Sequence, residues 1–293
     1  VFVFLWGITY AYGLFAHVWE VPGGWLGLRE AHVHANAWGF LGLAAIGTLY
    51  DLFPRVLGTE LYSKKLRNYS VWFFIIGIFP LITGPWIGMG RTVTATGLVL
   101  FATGFALYLY NLVQTYRSAD ARSGIALSVL VAQFWMLGPA GFAPFVLFGV
   151  EWVDPAYIED GALHFFFVGW ALPIALAGLL LYFRNLPVLR EGHLGGSDRV
   201  GSTDLIPGGH IPSVISTWMI AVWNLAILMV GIRFFYQDQP WSAYLFAPGY
   251  PALVVLCLYE LAQAFRLRWS FRPAPETTPA TALGEQMHLF LPS

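Results

Sequence analysis

Apolar runs of about 20 residues recur along the whole chain, each almost free of charge, and no other feature constrains its fold as strongly. A helix needs a run of that length to cross a hydrocarbon core about 30 Å thick, and only helices and closed barrels satisfy their backbone polar groups in lipid. The runs are continuous rather than alternating, so the expected class is all-α: a polytopic transmembrane helix bundle. Only 11% of residues are charged and 58% are hydrophobic, whereas soluble domains are about a quarter charged. Breaks at charged residues and Pro/Gly clusters predict about eight spans, near 1–19, 31–53, 69–90, 92–114, 124–150, 161–183, 213–236 and 241–265. These make one bundle over residues 1–272, followed by a Pro- and Thr-rich tail, 273–293, expected to be mobile. Val1 opens directly on membrane-like sequence too long for a cleaved signal, so the polypeptide is expected to begin further upstream.

Charge narrows the function. The net charge is −1, which leaves no basic surface for nucleic acid and no acidic tail for a cationic partner. The single cysteine, Cys257, excludes an internal disulfide, a CxxC metal site and covalent haem attachment through CxxCH. Of the 15 Lys and Arg, Arg29, Arg91 and Arg233 fall on one side of the predicted spans and the rest on the other. The positive-inside rule then puts both termini in the cytoplasm and Glu20, Glu30, Glu151, Asp154, Glu159, Asp160 and Asp238 outside, as in a prokaryotic inner membrane.

The seven histidines divide by the same topology. His193, His210 and His288 lie in cytoplasmic polar segments, where a solvated imidazole needs no further role. His17, His32, His34 and His164 all gather in the outer leaflet, at the ends of three spans. Ionisable groups inside a membrane are costly and usually mark a site, and imidazole is the common axial ligand of b-type haem. Two stretches, HANAWGF from His34 and HFFFVGW from His164, share the pattern His-x4-Gly-[Phe/Trp]. His34 and His164 are therefore the expected ligand pair, with Gly39 and Gly169 letting a flat macrocycle approach the backbone. His32 and His34, two residues apart, point about 200° apart around an α-helix and so serve opposite flanks. On the His32 flank, with His17, a second and more open site for haem or copper is expected, and α-helical spacing sets Gly39 beneath His32. Arg91 is the expected partner for haem propionates. Glu260, late in the last span, reads as an interfacial acid or part of a proton path.

The stretch LREAHVHANAWGFLGLAAIGTLYDLFPRVLGTELYSKKLRNYSVWFFIIGIFPLITGPWIGMG, roughly residues 28–90, resembles the His-x-His helix and the next helix in the catalytic subunit of haem–copper oxidases, most closely the cbb-type. The resemblance implies that the first histidine of the pair, His32, binds high-spin haem and the second, His34, low-spin haem. ALHFFFVGW is also similar to helices of the NnrS-like haem and copper membrane proteins. The family's copper site needs an adjacent His-His pair and a third histidine, and the sequence has no His-His pair, so oxygen or nitric oxide reduction by this chain alone is not expected.

Three functions remain open from sequence. One is a redox subunit holding one or two haem b and passing electrons between quinol or a periplasmic carrier and other membrane subunits. Another is an NnrS-like protein handling nitric oxide or metal. The third is a non-catalytic scaffold within a larger membrane complex.

Overall fold

The computed structural model describes residues 7–8, 23–87, 90–120, 122–148, 155–182 and 215–270, and every regular element among them is helical. The expected first span, apart from residues 7–8, lies outside the described residues, as do His17, His193, His210, His288 and the tail.

The first continuous rod is built from α1 (Gly24–Val33), a π-helical segment (His34–Gly42) and α2 (Leu43–Val56), with right-handed helical dihedrals kept at both junctions. Its beginning is seated on the end of α3 (Lys64–Trp86): the Gly23 N–H donates to the Trp86 carbonyl at 2.9 Å, and a Cβ at Gly27 would run into the Pro85 carbonyl. Helix α3 starts five residues before the apolar run that announces it, because Ser63 Oγ caps it by accepting from the Leu66 N–H at 3.2 Å. The helical first turn carries Lys64, Lys65 and Arg67, which hydropathy reads as loop.

Helix α4 (Gly90–Ser118) returns along α3 as the expected hairpin, and small residues set how closely the two approach. A Cβ on Gly97 would stand 2.5 Å from the Leu81 nitrogen, and one on Gly77 2.7 Å from that of Phe101. The far end is tied by Asn111, whose Oδ1 accepts from the Ser63 N–H at 3.0 Å while Nδ2 donates to the Ser63 carbonyl at 2.9 Å.

Next come α5 (Gly124–Ala132), a 3₁₀ turn (Gln133–Met136) and α6 (Leu137–Phe148). Gln133 is fully buried and bonded at both ends: its Oε1 accepts from Tyr108 Oη at 3.0 Å and Trp170 Nε1 at 2.8 Å, and its Nε2 donates to the Val129 carbonyl at 2.8 Å. A second rod follows, made of α7 (Pro155–His164), a second π-helical segment (Phe165–Ala171) and α8 (172–182). Helices α9 (Thr217–Phe235) and α10 (Ser242–Ser270) form the last hairpin. Arg233 closes its turn by donating from Nη1 to Ser242 Oγ at 2.9 Å and to the Gln237 carbonyl.

Six described helices are long and apolar enough to cross a membrane: Lys64–Trp86, Arg91–Ser118, Gly124–Ala143, Tyr157–Tyr182, Thr217–Phe235 and Ser242–Arg266. The rod from Gly24 to Val56 stands beside them, its apolar run diluted by His32, His34 and Asn36. Bulky apolar side chains such as Trp72, Val99, Leu225 and Leu258 face outward, as lipid-facing positions do. The chain is an integral membrane protein built as a helical bundle.

Candidate cofactor cavity

Both histidines of the repeat stand at the entrance to a π-helical segment, which begins at His34 in one rod and directly after His164 in the other. A π-helix joins residue i to residue i+5, so the five-residue step from His34 to Gly39, and from His164 to Gly169, is one π turn. This corrects the register expected from α-helical spacing: Gly39 lies one turn below His34 and not beneath His32.

His34 borders a cavity of about 600 Å³ between the first rod, α3, α4, α6 and α7. Its walls are apolar, with Trp38, Leu81, Phe101, Phe105, Met136 and Ile158 among them. Small residues, Ala102, Ala140, Ala143 and Ala162, leave the space open. From Arg91 to Phe105 along α4 the lining spans about 20 Å of helical rise. At the end holding Arg91 the wall turns polar: Arg29 is paired with Glu159 and with Glu30 (3.5 Å), and all three line the cavity. Arg91 is exposed there, with no ion-pair partner among the described residues. The four charged residues come from α1, α4 and α7, so the structure gathers at one end the groups that the charge pattern assigned to one side.

The setting of His34 rests on a proline. Pro85 has no N–H, so the carbonyl four residues earlier, that of Leu81, receives no helical hydrogen bond. The His34 imidazole lies against this carbonyl. Its Nδ1 is buried and has no hydrogen-bond partner of good geometry. A metal-binding histidine commonly has one ring nitrogen directed at a backbone carbonyl, which fixes the ring while the other meets the metal.

His32 faces the other flank, as its two-residue offset from His34 requires. Its Nδ1 lies 3.0 Å from the Gly7 carbonyl, and Asn36 Nδ2 donates to the His32 carbonyl at 3.0 Å. The ring is thus held against the segment that precedes the first rod.

His164 is not part of the cavity lining. Its ring stands 5.2 Å from that of Phe234 on α9, and its Nε2 is buried without a partner. Gly169 corrects the expectation that it makes room for a macrocycle: a Cβ there would meet Trp135 Cγ at 2.6 Å, so the space belongs to an indole. The structure therefore brings His34 and Arg91 to one cavity and sets His32 and His164 on other surfaces of their rods. Among the described residues no three His, Cys, Asp or Glu side chains converge as metal ligands. Sequence reading missed Pro85 and Leu81, although a proline four residues after an apolar position is a visible sign of a free carbonyl.

Fold and site together describe a membrane helix bundle with an apolar cavity, a histidine in its lining and two arginines and two glutamates at its polar end. The chain is similar to cytochrome c oxidase subunit 1 proteins. It is 40% identical over 57 residues to the Cbb3-type cytochrome c oxidase subunit CcoN1 of Stutzerimonas stutzeri, covering 19% of this chain and 12% of that one. It is 37% identical over 78 residues to cytochrome c oxidase subunit 1 of Rhodobacter capsulatus, covering 24% and 15%. It is 27% identical over 132 residues to the bacteroid cytochrome c oxidase subunit 1 homolog of Bradyrhizobium diazoefficiens, covering 35% and 24%. The matches thus span at most about a quarter of the length of these relatives. No family model and no solved structure matches. The resemblance to a haem–copper oxidase catalytic subunit, read from the His-x-His helix and its successor, holds.

Proposed function

We propose that this chain is a membrane redox subunit that holds b-type haem in the cavity beside His34. The observation that carries the reading is the cavity itself: about 600 Å³ of mostly apolar space with the His34 imidazole in its lining and Arg29 and Arg91 at its polar end. The residues present fit haem, whose faces are apolar, whose iron takes imidazole and whose propionates are anionic. Bound haem would supply reversible one-electron chemistry at iron. His34 would bind the iron, the Leu81 carbonyl would orient the imidazole, and Arg91, with Arg29 beside it, would receive the propionates. Trp38, Phe101 and Phe105 keep water from the space. His32, half-buried on the flank away from the cavity, is proposed as a ligand of a second group, haem or copper. The relatives' names, which are those of cytochrome c oxidases, support haem and electron transfer here. Electrons would pass to or from other membrane subunits or a carrier at the outer face, with the histidine end outward in a bacterial cytoplasmic membrane.

The test is the reduced-minus-oxidised spectrum and the pyridine haemochrome of the purified protein. Bands of b type in stoichiometric amount are expected; a protein purified folded from haem-replete cells, yet free of haem and metal, would leave only the scaffold reading. For the topology, Asp160→Cys, at an exposed position on α7, should react with an impermeant thiol reagent added outside intact cells. Reaction only after permeabilisation would invert the bundle.

A further inference from the structure

A second polar site lies far from the cavity, at the other end of the bundle. His164 packs on Phe234, which places the α9–α10 turn at the histidine end. Glu260 lies 18 residues along α10 from Ser242, about 27 Å of helical rise away. It is 7% exposed even before any lipid surrounds the helix. Among the described residues no cation and no hydrogen-bond donor reaches its carboxyl. A carboxylate left unpaired in such surroundings is costly, and an acid inside a membrane helix ordinarily has a role.

The side chain borders a pocket of about 10 Å³, whose lining includes Ser128 of α5, Gly169 and Pro173 of the second rod and Trp223 and Asn224 of α9. That volume is about what one water molecule needs, provided polar partners surround it. Partners are present. Trp223 Nε1 is buried with no acceptor. Asn224 is already engaged, its Oδ1 accepting from Trp135 Nε1 at 2.5 Å and its Nδ2 donating to the Ile220 carbonyl at 2.6 Å. The pocket is thus lined by a tryptophan whose N–H has no acceptor, a serine, and a glutamate whose carboxyl has no donor among the described residues. Cys257, about one turn earlier on α10, and Tyr259 beside it are titratable neighbours of Glu260; the lining contributed by α5, the second rod and α9 carries no charge.

We propose that Glu260, Trp223 and Ser128 form an intramembrane site for one water molecule and one exchangeable proton. The water accepts from the Trp223 N–H and bridges to the carboxyl, which holds the proton as a neutral acid and so avoids an unpaired charge in the bilayer. Ser128 gives the water another hydrogen-bonding neighbour. The site depends on neither haem nor His34.

A protonated carboxyl adds its O–H across a C=N bond of a carbodiimide, the proton going to nitrogen and the oxygen to the central carbon, so reagent polarity distinguishes a buried acid from a surface one. The full chain in its native membranes is treated with dicyclohexylcarbodiimide or with a water-soluble carbodiimide, and its peptides are mapped by mass spectrometry. The adduct on Glu260 is expected with the lipophilic reagent only and should vanish in E260Q. In infrared spectra of the unmodified protein in lipid, W223F and S128A should each move a carboxylic-acid carbonyl band that E260Q abolishes. Modification of Glu260 by the water-soluble reagent as readily as by the lipophilic one, or a carbonyl band indifferent to both W223F and S128A, would overturn the site. The parent chain, W223F and S128A decide the matter even if E260Q fails to accumulate.

Discussion

His34 and His164 open the same seven-residue motif and adjoin the same rare backbone form, yet one borders open space and the other packed rings. Beside His34 the neighbouring helices present Ala102, Ala140, Ala143 and Ala162, and a cavity of about 600 Å³ remains. At His164 the rings of Phe165 and Phe234 close in, and Trp135 takes the notch at Gly169. A repeated motif therefore sets the backbone, while the residues facing it from other helices decide whether a ligand can enter.

The contrast can be broken first at the histidines. His34→Ala is expected to cut bound haem in the cavity to near zero, while His164→Ala leaves it, as haem content per protein will show. Equal losses in both variants would restore the ligand pair that the repeat suggests. Filling tests come next. Gly169→Leu must displace the Trp135 indole and should destabilise the fold by about 1–3 kcal/mol, read as a lowered Tm in lipid or detergent. Ala140→Leu, on the cavity wall, should leave Tm nearly unchanged and lower haem occupancy instead. If the two variants change places, the cavity has been assigned to the wrong rod.

Pro85→Ala sharpens the comparison further. It supplies an N–H for the Leu81 carbonyl, which then ceases to steady the imidazole, so haem should stay bound with a higher midpoint potential. A hydrogen bond worth about 1 kcal/mol corresponds to about 40 mV for one electron. A potential unmoved by the substitution would remove Leu81 from the account. The smallest effect belongs to Arg91→Gln. An exposed cation contributes at most about 1 kcal/mol, so haem affinity should fall no more than about fivefold, and less in high salt.

Six of the eight expected spans were legible because hydropathy survives without tertiary context, and the His-x-His geometry because two residues on one helix must diverge. The start of α3 at Lys64 was not, since a capped basic turn is helical without being apolar. The π-helical segments leave little in composition, and only the five-residue step from His to Gly hinted at them. The cavity was invisible because it is made of small residues on separate helices, and Gly169 could not be matched to Trp135 before the packing was known. Arg91 was legible from its sign and its place at a span end; the roles of Pro85 and Leu81 needed the rod to be docked.

The central claim is that the His34 imidazole supplies the iron ligand from the wall of the cavity. His34→Gly, purified with haem and titrated with free imidazole, tests it most directly. The variant should lack the low-spin b-type spectrum and regain it as imidazole fills the vacated position. A variant that keeps the full spectrum without imidazole, or whose haem ignores imidazole altogether, would contradict the account.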